Sequence, residues 1–108
     1  MTLRMRARWR IEIFVPVTRE RAGLRDLRDD LSARFGGVAA FERAPATDLW
    51  REDDAGDEQG GVAQDVIVIL ETMADDFDPN WWRAFREGWQ ARLGQPHLLV
   101  RASRVMEL

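Results

Sequence analysis

DVIVILETM, residues 65–73, is the strongest strand signal in the chain, and its reading decides the fold. Aliphatic and β-branched residues run through it without a breaker and fall on both faces of an extended segment. A strand of that kind sits centrally in its sheet and is covered on two sides. The segments on either side of it must then supply its neighbours.

Upstream, the alternation from Arg8 to Val17 is strict. Trp9, Ile11, Ile13, Val15 and Val17 share one face, and Arg8, Arg10, Glu12 and Phe14 share the other, which predicts a half-buried strand. Thr18 is a helix cap. After it, Leu24, Leu27, Leu31 and Phe35 recur at helical spacing, and Gly36-Gly37 supplies a left-handed stop. VAAFER (38–43) predicts a short edge strand, broken at Ala44-Pro45 and resumed near Leu49-Trp50, because proline cannot donate to a ladder. REDDAGDEQGG (51–61) is acidic and glycine-rich, so it is expected to form a mobile hairpin tip.

Downstream, Asp78-Pro79 pairs an N-cap with proline at the first helical position. It opens a helix over WWRAFREGWQARLG (81–94) that closes at Gly94, with Pro96 beyond. HLLVRASRV (97–105) supplies a last strand. The order strand, helix, strand, strand, helix, strand is the βαββαβ ferredoxin-like plan. It predicts an α+β domain spanning residues 1–108, with a four-stranded antiparallel sheet carrying both helices on one face.

Composition bounds the rest. With 45% hydrophobic and 32% charged residues the chain falls in the globular class, and its 108 residues suffice for a core. The absence of cysteine removes disulfides, thiolate metal sites and thiol catalysis. All 16 basic residues are arginine, which we read as a GC-rich bacterial coding bias. A net charge of -3 argues against general nucleic-acid binding, which needs a cationic face. No apolar run approaches the ~20 residues of a membrane span. IEIFVPV (11–17) holds Glu12 and Pro16 and makes a poor signal-peptide core, so a cytoplasmic protein is expected.

The pattern FGG (35–37), DLW (48–50), VIVIL (66–70) and ARLGQ (91–95) resembles small bacterial ferredoxin-like domains of uncharacterised function. At the level of fold the chain is also similar to the dimeric α/β barrel proteins, which include small monooxygenases, decyclising enzymes and stress-response proteins. That resemblance implies two sheets packed face to face, with room for a ligand between them. It does not choose among those activities.

If both helices cover one face, the other carries Arg8, Arg10, Glu12 and Phe14, then Ile67, Ile69, Glu71 and Met73, then His97, Leu99, Arg101 and Ser103. Phe14, Ile67, Ile69, Met73 and Leu99 would form an apolar patch larger than a soluble monomer usually leaves in water. A homodimer through the open sheet face is the simplest cover. Arg10, Glu12, Glu71 and Arg101 would then pair across the interface or line a small-molecule cavity.

The remaining candidates divide between chemistry and packing. Trp82, Phe85, Trp89 and Leu93 fall within about 80° of one another on the helix and read as core anchors. Trp81 lies at the border of that stripe near Gly88, and a mid-helix glycine suggests close approach by a strand, a partner or a ligand ring. His97, the only histidine, is a candidate general base without a partner at readable spacing; a strand-end hydrogen bond is the plainer account. In the monooxygenases of the barrel group a histidine sits near the cavity, but no motif here carries that role over.

Asp53, Asp54, Asp57 and Glu58 lack the alternation of a calcium loop, so no metal or cofactor is expected; Asp75, Asp76 and Asp78 are expected to serve capping and the helix dipole. Arg4, Arg6, Arg8 and Arg10 would form a guanidinium ladder able to hold an anion, but DVIVILETM lacks the aromatics with which RNA-binding domains of this fold read bases. FVPVTRERAG offers no glycine-rich phosphate loop of the acylphosphatase kind. A small dimerising binding module is therefore expected. The alternative is a cofactor-independent enzyme using His97 or the Arg10, Glu12, Glu71 and Arg101 group.

Overall fold

The computed structural model describes residues 4–17, 22–43 and 66–108. Its elements are β1 (Arg6–Val17), α1 (Ala22–Phe35), β2 (Ala39–Arg43), β3 (Val66–Ala74), α2 (Pro79–Leu93) and β4 (Leu99–Glu107). The strands form one antiparallel sheet in the order β2-β3-β1-β4, which is the ferredoxin-like arrangement. The cap at Thr18, the break at Pro45, the DLW motif and the hairpin tip at 51–61 with its acidic cluster lie outside the described residues.

β3 is central, as its two-sided pattern predicts: Ile67, Val68, Ile69 and Leu70 are all buried. It pairs with β1 from Trp9 opposite Ala74 to Val17 opposite Val66, and with the edge strand β2 from Ala39 opposite Glu71 to Arg43 opposite Ile67. The helix-side face gathers Ile11, Ile13, Val15, Val17, Val68 and Leu70 against Leu27 and Leu31 of α1 and Trp82 and Trp89 of α2. Thr72 is the buried polar residue on that face. Its hydroxyl donates to the Gly37 carbonyl at 2.7 Å, so β3 is tied to the chain leaving α1.

Both helix stops follow the sequence. Gly36 and Gly94 have φ of 83° and 66°, left-handed positions that cost a side chain about 1–2 kcal/mol. At the other end of α2 the Asp78 carboxylate accepts from the Asn80 and Trp81 amides, with Pro79 at the first position. One strand is displaced from its predicted place. β4 begins at Leu99 and runs to Glu107, so His97 belongs to the connection after α2 and not to the sheet.

The mid-helix glycine also differs from expectation. A Cβ at Gly88 would meet nothing within 4 Å, so no neighbour inside the protomer demands a glycine there. The close approach falls at Gly23 in the first turn of α1, where a Cβ would stand 2.5 Å from Leu93 Cδ2 on α2. Gly88→Ala is therefore expected to raise stability by about 0.5–1 kcal/mol, since alanine recovers helix propensity with no clash. Chemical denaturation checks this, and a loss of stability would mean that Gly88 meets a neighbour.

Candidate functional site

The pairing register fixes what the face away from the helices presents. Arg10 lies opposite Met73 and Ser103, Glu12 opposite Glu71 and Arg101, and Phe14 opposite Ile69 and Leu99. Phe41 of β2 lies beside Ile69 on the same face. The structure thus brings Arg10, Glu12, Glu71 and Arg101 together as neighbours across three strands. The apolar part is smaller than expected, because Ile67 and Ile69 are already closed off within the protomer. Phe41 and Leu99, each 48% exposed, and the half-buried Phe14 and Met73 are what it leaves for solvent or a partner.

The charges on this face are satisfied unevenly. Arg101 reaches Glu12 at 3.7 Å while lying 4.8 Å over the Phe14 ring. Because Arg101 remains largely exposed, that pair adds little to stability. Glu12 and Glu71 stand directly opposite one another, a like-charge juxtaposition that destabilises a sheet. Arg10, half-buried on the central strand, has no hydrogen-bond or ion-pair partner among the described residues, and its Nε is shut off from water. Glu71, also half-buried, pairs with no cation there. Leaving such groups unpartnered is costly.

The arginine ladder is engaged by carboxylates that the sequence reading gave other duties. Asp75, expected to serve the α2 dipole, instead takes Arg6 at 2.9 Å and Arg8 at 3.1 Å, and Arg8 also reaches Glu107 at 3.4 Å. The hydrogen bond and charge of Arg6, aided by Arg8, hold the Asp75 carboxyl below its ordinary value of 3.8. Because the folded value is the lower one, this contribution to stability is present above the ordinary value. It is lost as pH falls through the folded value. An NMR titration is expected to place the Asp75 midpoint below 3.8, with Arg6→Ala moving it back; an unshifted midpoint would contradict the pairing.

The other candidates take simpler places. Trp82 and Trp89 are core residues, each 4% exposed, and the Trp89 indole N–H donates to Asp30 at 3.3 Å. Trp81, 37% exposed, stacks on Phe85 at 5.0 Å and meets Trp82 and Phe35 edge-on, with the Arg34 guanidinium 5.4 Å from its ring. Its faces are thus occupied from within the protomer. His97 is exposed in the α2–β4 connection, away from the Arg10 and Glu71 neighbourhood.

A shallow groove between the end of β1, Gly23 and Leu24 of α1 and Leu93 of α2 has one charged lining residue, Arg92, already stacked 3.9 Å over Trp89. It carries no acid–base pair. Among the described residues no group of three or more histidine, aspartate or glutamate side chains is gathered for a metal, and no helix is long and apolar enough to cross a membrane.

Comparison with known proteins adds no relative: no protein-family model matches the chain, and no curated protein and no solved structure does either. The class defined by the structure is the α+β ferredoxin-like fold, with a charged and partly apolar open sheet face.

Proposed function

We propose that this chain is a small ferredoxin-like module that forms a homodimer through its open sheet face and acts by binding rather than by catalysis of its own. The observation that carries this reading is the pair of half-buried, unpartnered charges at the middle of that face, Arg10 and Glu71. They have opposite sign and lie on adjacent strands. A two-fold axis in the plane of the face, crossing midway between them, sets each against the other's counterpart in a second copy. Phe41 and Leu99 flank them and supply apolar surface. The likeness to the dimeric α/β barrel proteins supports the same face-to-face packing.

The all-arginine cation set and the cysteine-free composition support a bacterial cytoplasmic setting. The competing occupant of the face is a small molecule held by Arg10 and Glu71. Light scattering on exhaustively dialysed protein tests the reading: a mass of two copies at micromolar concentration is expected, and a mass of one copy would overturn it.

A further inference from the structure

The second free feature of the sheet is its β4 edge. β4 pairs with β1 in unbroken register from Leu99 opposite Phe14 to Glu107 opposite Arg6, and among the described residues no element lies on its other side. Alternate backbone amides and carbonyls along that side therefore lack a strand partner, the arrangement that invites another chain. The usual safeguards are missing. The strand runs nine residues, LVRASRVME, with no proline, and its register shows no bulge. Its two arginines lean back over β1, with Arg101 over Phe14 and Arg104 4.9 Å over Trp9. They do not guard the free edge. The opposite edge, β2, is only five residues long.

We infer that β4 pairs antiparallel with β4 of a second copy, about a two-fold axis normal to the sheet at Ser103. Ser103 is the midpoint of the strand, so this register engages every residue from Leu99 to Glu107. It sets Ser103 against Ser103, Val100 against Met106, Arg101 against Val105 and Ala102 against Arg104. Arg101 falls diagonal to the partner's Glu107, and no like charges face each other. Centring on Arg104 instead would oppose two guanidinium groups, and centring on Ala102 would leave Met106 and Glu107 beyond the partner strand. Met106, 59% exposed in the protomer, gains an apolar neighbour in the Ser103-centred register. This contact uses a different surface and axis from the sheet-face dimer and does not depend on it.

The cysteine-free chain permits a direct test. Ser103→Cys and, as a control, Glu107→Cys are made in a Glu71→Arg background that disables the sheet-face contact, and thermal melts confirm folding. Under mild oxidation Ser103→Cys is expected to cross-link most of the protein into dimers. Glu107→Cys, whose counterpart lies at the far end of the paired strands, is expected to remain uncross-linked. Hydrogen exchange on the unmodified protein is expected to show the outward amides of β4 slowed at least tenfold as concentration rises. Equal cross-linking of the two variants, outward amides that exchange freely whatever the concentration, or a protein that is monomeric at every concentration would overturn the inference.

Discussion

Trp82→Ala is expected to cost about 3–5 kcal/mol, which approaches the whole stability of a domain this size. The indole is 4% exposed and stacks on Phe35 at 5.3 Å with the planes 16° apart, while Trp81 and Phe85 meet it edge-on. Removing it deletes contacts on several sides and leaves a cavity between α1, α2 and the sheet. The neighbouring Trp81→Ala supplies the comparison. Trp81 is 37% exposed, so its truncation is expected to cost about 1 kcal/mol, chiefly in lost ring contacts. Urea denaturation of the two variants reads the difference, and equal losses would show that the helix face is assigned wrongly.

Arg10→Glu is expected to raise the dimer dissociation constant at least about 1000-fold, and Glu71→Arg to do the same. In the proposed packing each substitution sets like charges against each other twice, once on either side of the two-fold axis. Disrupting one desolvated pair typically costs about 2–5 kcal/mol, and 1.4 kcal/mol is a factor of ten. The double exchange Arg10→Glu with Glu71→Arg restores opposite signs and is expected to return within about tenfold of the parent, which separates pairing from simple loss of a side chain. Sedimentation equilibrium measures all four proteins. Single variants that dimerise like the parent would remove the basis for the sheet-face dimer.

The fold was legible because its signals are local. Period-two alternation fixed the faces of β1, the two-sided aliphatic run placed β3 centrally, and Asp78-Pro79 with Gly94 bounded α2. The predicted start of β4 was early because His97-Leu98 is apolar enough to continue the pattern, whereas in the fold the Leu98 amide donates to the Gln90 side chain and not to a strand. Gly88 misled for a different reason: helix geometry reveals where a glycine stands but not whether anything stands opposite. The neighbour that Gly88 suggested belongs to Gly23, set by the crossing of two helices far apart in sequence.

The candidate site was legible in membership and not in pairing. Alternation predicted that Arg10, Glu12, Glu71 and Arg101 share a face, and the register brings them together. Which carboxylate answers which guanidinium depends on how far β3 runs past β1. That is why Asp75, at the end of β3, reads as a helix acid in sequence and acts as the anchor for Arg6 and Arg8 in space. The stacking of Arg101 on Phe14 and Arg104 on Trp9 is equally a property of strand neighbours, with no signature along the chain.

The strand order has a kinetic consequence. β1 is synthesised first yet lies in the interior of the sheet, between β3 and β4, and its Arg6 faces Glu107 from the opposite end of the chain. Nearly all of its pairing is therefore non-local, so loop closure must precede most of the stabilising contacts and refolding is expected to be slow for a domain of this length. During translation Ile11, Ile13, Val15 and Val17 have no strand to pair with until β3 leaves the ribosome. A nascent chain halted before β3 is the species most exposed to aggregation and most dependent on a holdase.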